Sequence, residues 1–151
     1  MKEPDTDTFQ QLERILLVDD DAVTNMMHRR VIERSGRARA IDVATDGAKA
    51  LDLLRADLAC DRPLPEVIFL DINMPGMGGF AFLEHYAQLQ IGAQTQLIIV
   101  MLSTSLLPAD HRRAQADPNV HSFCDKPLSL EKLLEFMATF KSRAAGRGSA
   151  T

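Results

Sequence analysis

The sequence predicts an α/β protein, a doubly wound five-stranded parallel sheet of (βα)5 type in the order 2-1-3-4-5. Short apolar runs alternate with amphipathic segments of helical period along the chain. Three of these runs, Ile15-Leu16-Leu17-Val18, Val67-Ile68-Phe69-Leu70 and Leu97 to Leu102, are apolar throughout, as strands covered on both faces must be. The other two, Ala40 to Ala44 and Val120 to Cys124, alternate or mix and suit the edges of a sheet. With strands one, three and four inside and two and five outside, the order 2-1-3-4-5 satisfies the assignment and the six-stranded Rossmann order does not. The chain then reverses between strands one and three, which opens a crevice at their carboxyl ends.

Each element has a local reason. Residues 1–12 are polar and acidic and predict a flexible leader. The first strand ends in Asp19, Asp20 and Asp21, and a helix follows in which Val23, Met26, Met27 and Val31 recur at helical spacing until Ser35-Gly36 stops it. Asp46 caps a second helix through about Leu58, with Ala50, Leu51, Leu54 and Leu58 facing inward. Pro63 and Pro65 make the next segment a loop. The third strand runs into Asp71-Ile72-Asn73-Met74-Pro75-Gly76, and a helix spans Phe80 to Leu89. The fourth strand ends in Ser103-Thr104-Ser105, with a weaker helix from Ala109 to Gln115 behind it. The fifth leads into Asp125-Lys126-Pro127, and Ser129 caps a last helix with Leu130, Leu133, Leu134 and Met137 on one face. The domain so defined spans 13–141, and 142–151 reads as a disordered tail.

Composition narrows the function classes. A chain of 151 residues suits one domain, which at this size buries ~70% of its unfolded surface. A formal charge of -4 argues against nucleic acid as the main partner. The N-terminus lacks the apolar core of a secretory signal and no run reaches membrane-spanning length, so a cytoplasmic protein is expected. Cys60 and Cys124 have no metal-ligand or CxxC spacing and read as reduced thiols.

Chemistry concentrates at the strand ends. Asp71 closes a strand buried on both faces, where an isolated charge is very costly, and Asp19 and Asp20 end the neighbouring strand. Three converging carboxylates demand a cation. The all-oxygen donor set favours Mg²⁺, a hard ion, over zinc. The competing reading, that these acids only cap the first helix, suits Asp21 and leaves Asp71 unexplained. Ser103 and Lys126 add a hydroxyl and an ammonium from the next two strand ends. That is a phosphoryl-transfer constellation, with Asp71 placed as the nucleophile that would form an acyl phosphate.

These pieces together resemble the receiver domain of two-component response regulators, a CheY-like fold of flavodoxin topology. They are Ile15-Leu16-Leu17-Val18-Asp19-Asp20-Asp21, Leu70 to Gly79, Met101-Leu102-Ser103 and Asp125-Lys126-Pro127, and the likeness covers about Arg14 to Lys141. The resemblance implies that Asp71 is phosphorylated by a histidine kinase or histidine phosphotransfer protein. It further implies Mg²⁺ held by Asp20, Asp71 and the Asn73 carbonyl, with Asp19 orienting a metal-bound water. Lys126 would pair with Asp71 at rest and with the phosphoryl group afterwards, and the Lys126-Pro127 bond would be cis. Ser103 would move toward the phosphoryl group as Phe123 swings inward, switching a surface of helix four, strand five and helix five. Side chains at Asn73 and Ser105 occupy the positions that modulate acyl-phosphate lifetime in the family. Beyond self-phosphorylation and self-dephosphorylation no enzymatic activity is implied. Homodimerisation on phosphorylation and the downstream protein target stay open.

The chain departs from the family pattern in places. Phe123 stands where many receivers carry Tyr, Ser103 replaces the more frequent Thr, and Gly78-Gly79 replaces an acid-glycine pair, which predicts a looser loop. The remaining polar residues read quietly. His28, His85, His111 and His121 suit surface or capping roles, His28-Arg29-Arg30 and His111-Arg112-Arg113 solvated helix faces, and Met26, Met27 and Met137 core filling.

Because the sequence ends soon after its fifth helix, a stand-alone switch, relay or phosphate sink is expected. A Mg²⁺-dependent phosphatase with an Asp nucleophile would need a hydroxyl that Asp19-Asp20-Asp21-Ala22-Val23 lacks. A flavin or nucleotide module would need a phosphate-cradling loop where this chain has three acids. A receiver-like module that signals without phosphate is the remaining alternative.

Overall fold

The computed structural model describes residues 11–89, 91, 97–104 and 107–149. Five strands, β1 (Leu12–Val18), β2 (Ala38–Ala44), β3 (Val67–Asp71), β4 (Ile98–Ser103) and β5 (Val120–Asp125), alternate with α1 (Ala22–Ser35), α2 (Gly47–Ala59), α3 (Gly79–Gln88), α4 (Pro108–Ala116) and α5 (Leu130–Ser149). All strand pairs are parallel and the order is β2-β1-β3-β4-β5. The expected topology is the observed one.

Strand periodicity divides the core. Leu16, Val18, Ile68, Leu70, Ile99 and Met101 point to one face and pack with Leu51, Leu54, Phe82, Leu83 and Ala114 of α2, α3 and α4. Ile15, Leu17, Val67, Phe69, Val100 and Leu102 point to the other and meet Ile32 of α1 and Leu133, Phe136 and Met137 of α5. Every residue of β3 and β4 is buried, whereas β2 is largely half-exposed. The helix ends follow the local signals. Asp46 Oδ1 accepts from Lys49 N at 2.9 Å, Ser129 Oγ from Lys132 N at 3.1 Å, and Gly36 takes the left-handed conformation that ends α1.

Several expectations are corrected. In α1, Val23, Met26 and Met27 lie outside, at 58%, 47% and 47% exposure, and the inner face is Asn25, His28 and Ile32. The polar pair can face inward because both side chains are hydrogen-bonded there, Asn25 Nδ2 to Asp19 O and His28 Nε2 from Leu128 N. In α2, Leu58 is exposed and Asp57 is buried, the latter neutralised by Arg14 and Arg62. In α5, Leu130 and Leu134 are turned outward, while Leu133, Phe136 and Met137 fill the core.

The first strand and last helix have their own bounds. β1 begins at Leu12, inside the expected leader, because Leu12 is buried and its N–H donates to Arg37 O at 2.7 Å. Residues 1–10 lie outside the described residues. α5 runs as helix from Leu130 to Ser149, past Lys141. Residues 150–151 lie outside the described residues.

Candidate functional site

Parallel register puts the chemical groups at one edge of the sheet. Val18 pairs with Leu70 and Asp71 with Leu102, so the residues that follow β1 and end β3 and β4 stand side by side. Asp19, Asp20 and Asp71 each offer a carboxylate oxygen, and these atoms all lie within 4.8 Å of one another. Asp19 and Asp71 are buried and Asp20 is exposed, which leaves the cluster one solvent-facing side.

Lys126 bridges the buried pair. Its Nζ lies 2.5 Å from Asp19 Oδ2 and 3.0 Å from Asp71 Oδ1. Its own N–H donates to Ser103 O at 2.9 Å, and the Lys126-Pro127 bond is cis. Asp19 is further fixed by Asp21 N, which donates to Oδ1 at 2.9 Å. Asp21 caps α1 by accepting from Val23 N and from the Thr24 hydroxyl, which draws its carboxyl below the ordinary range.

The electrostatics record three clustered acids, two of which share one ammonium. Burial pushes the Asp71 carboxyl up, and Asp19 and Asp20 push it further, so that the Lys126 hydrogen bond does not restore it. For Lys126, burial favours the neutral amine, but the hydrogen bonds it donates to Asp19 and Asp71 outweigh this and raise its pKa. Such a pocket has room for another positive charge. Its all-oxygen donor set fits a hard divalent cation.

The other expected residues take distinct places. Ser103 is fully buried at the end of β4, and Asn73 is exposed in the loop after β3. Phe123, opposite Met101, is half-buried against the core and carries the His111 ring with centroids 4.3 Å apart. His111 is therefore packed on the aromatic and is not a freely solvated residue. Ser105 lies outside the described residues. Cys60 and Cys124 are free thiols.

Sequence reasoning missed three supporting groups. His28 and Asn25 were hidden because apolar residues were assigned to the inner face, although Asn25, His28 and Ile32 form an i, i+3, i+7 stripe. Gly79, expected to loosen its loop, does the reverse. It is buried against the Asp71 carbonyl, and its N–H donates to Ile72 O at 2.9 Å.

The model of the response regulator receiver domain family matches residues 15–138. The chain is 37% identical over 120 residues to "Probable methanogenesis regulatory protein FilR2" of Methanothrix harundinacea, covering 79% of this chain and 75% of that protein. It is 35% identical over 130 residues to the response regulator MprA of Mycobacterium tuberculosis, covering 86% of this chain and 51% of MprA, so it spans about half of that regulator's length. Among solved structures, a two-component response regulator from Cytophaga hutchinsonii superposes with a TM-score of 0.79 at 30% identity, over 87% of this chain and 98% of that one. The chemotaxis protein CheY4 of Vibrio cholerae gives 0.69 at 26% identity, over 85% and 98%. Among the described residues no helix is long and apolar enough to cross a membrane.

Proposed function

The chain belongs to the response regulator receiver domain family, and from that premise we propose that Asp71 is its phosphoacceptor, loaded by a histidine kinase or a histidine phosphotransfer protein. The observation that carries this reading is the Asp19, Asp20 and Asp71 cluster closed on one side by Lys126 and open on the other.

Asp71 attacks the donor's phosphorus through a carboxylate oxygen. The phosphorus–nitrogen bond of the phosphohistidine breaks, an acyl phosphate forms, and the departing imidazole keeps the electron pair and takes a proton from solvent. Asp20, Asp71 and the Asn73 carbonyl would hold Mg²⁺, and Asp19 would fix its surroundings. When bound, the ion supplies positive charge to the phosphoryl oxygens. Lys126 leaves Asp71 for a phosphoryl oxygen, and the Ser103 hydroxyl donates to another. Drawing Ser103 toward the phosphoryl group alters the packing at Phe123 and His111, which lie on the surface formed by α4, β5 and α5. A partner that distinguishes the two arrangements reads the signal. The chain acts on no other substrate in this reading.

The test is intact-mass analysis after incubation with acetyl phosphate and Mg²⁺. One added phosphoryl group is expected in the parent, and none in Asp71→Asn or without metal. Beryllofluoride binding checks a short-lived adduct. Failure of both would leave a receiver-like interaction module that works without phosphate.

A further inference from the structure

We infer that His28 is a positioning residue for phosphoryl transfer, clamping the β5–α5 loop onto α1 so that Lys126 stays between Asp19 and Asp71. The inference rests on the phosphoacceptor reading of Asp71.

His28 lies in the middle of α1 and is 2% exposed. Its Nε2 accepts from Leu128 N at 3.1 Å, in a hydrogen bond that joins residues 100 apart in sequence. Pro127 has no N–H, so Leu128 carries the first backbone donor after Lys126. On its other side the loop is tied to β4 through Lys126 N and Ser103 O. One turn earlier on α1, Asn25 Nδ2 donates to Asp19 O at 2.8 Å. A single helix face thus holds both the carboxyl end of β1 and the loop that delivers the ammonium. The separation of Asp19 from Lys126 is thereby set by rigid elements.

The bond requires an unprotonated Nε2. Burial lowers the His28 pKa, and the Lys126 charge adds to this, while Asp19 opposes it. The imidazole is therefore neutral, and an acceptor, near pH 7. An apolar side chain would fill the space but strand a buried N–H, which is expensive to leave unpaired. Packing alone does not account for a histidine here.

His28→Leu removes the acceptor, His28→Gln offers Oε1 near the position of Nε2, and His28→Asn is too short to reach. With saturating acetyl phosphate and Mg²⁺, His28→Leu should slow phosphoryl uptake about tenfold and His28→Gln should recover most of the rate. Exchange of the Leu128 amide should accelerate in the Leu variant and not in the Gln variant. Should the Leu variant fail to fold, His28→Asn takes its place in the same comparison.

Equal uptake rates in the acceptor-bearing and acceptor-lacking variants, or unchanged Leu128 exchange, would overturn the clamp while leaving the phosphoacceptor intact. A parent protein that takes up no phosphoryl group and binds no beryllofluoride would overturn the phosphoacceptor reading, and the positioning role with it.

Discussion

Lys126 Nζ is held 3.0 Å from Asp71 Oδ1 while it also sits 2.5 Å from Asp19 Oδ2. One ammonium therefore serves two buried carboxylates, with Asp20 at the rim. The lysine is over-compensated and Asp71 under-compensated, which is why both have raised pKa values. Replacing Lys126 by Met would leave the acids without a counter-charge. The loss at neutral pH without divalent cation should be about 2 kcal/mol, less than for a fully enclosed pair because the pocket meets solvent. Urea unfolding with and without Mg²⁺ tests this, and added Mg²⁺ should return part of the loss.

Neutralising Asp71 should have the opposite sign. Its folded-state pKa lies above the ordinary value of 3.8. The folded protein thus holds this proton more tightly than the unfolded chain, and stability falls as pH rises through the folded value. Asp71→Asn should exceed the parent in stability at neutral pH in chelated buffer, and the difference should vanish below about pH 3.8. Urea midpoints across that range decide it, and a variant weaker than the parent at pH 7 would contradict it.

Divalent cation should stabilise the folded chain, because the unfolded chain has no preformed acidic cluster. At one hundred times Kd the gain should be about 2.7 kcal/mol. Thermal melts over a Mg²⁺ series measure it. Asp20→Asn, altering an exposed residue, should cut the gain without lowering the melting point in chelator.

His28 gives a separate pH dependence. Burial, reinforced by Lys126, holds its pKa below the ordinary 6.5. As pH falls from about 6.5 toward the folded value, the unfolded chain takes up a proton that the folded chain refuses, so stability is lost. The His28→Gln variant should lose less over the same interval. Parallel stability curves for the two proteins would contradict the assignment.

Much of this was legible in the sequence, for physical reasons that also set the limit. Strands β1, β3 and β4 are buried on both faces, and a fully apolar run such as Val67 to Leu70 has few other homes. The acids at strand ends followed, since register carries Asp19 and Asp71 to one edge. Helix facing was harder to read. Met26 and Met27 are as apolar as core residues, and only hydrogen bonds to Asp19 O and from Leu128 N explain why Asn25 and His28 displace them inward. Those partners lie in other elements, one of them 100 residues away, where periodicity carries no information. Asp57 was hidden likewise, because its burial depends on Arg14 and Arg62.

Gly79 supports the end of β3, which carries Asp71, directly. A Cβ built there would overlap the Asp71 carbonyl oxygen and lie 3.0 Å from Ile72 Cα and 3.1 Å from Met101 Cε. Backbone cannot yield as a flexible side chain can, so alanine must displace the end of β3. We expect Gly79→Ala to cost about 1–3 kcal/mol, as overpacking does, and to slow phosphoryl uptake because Asp71 moves with its carbonyl. Gly76→Ala separates strain from displacement. Gly76 has a φ of 76° and nothing within 4 Å of its built Cβ, so alanine there should cost roughly 1–2 kcal/mol through the left-handed backbone alone. Its phosphoryl uptake should match the parent. Urea unfolding and uptake measured on both variants test the distinction. Parental uptake by Gly79→Ala would show that Asp71 tolerates movement of its own backbone, and would remove Gly79 from the support of the site.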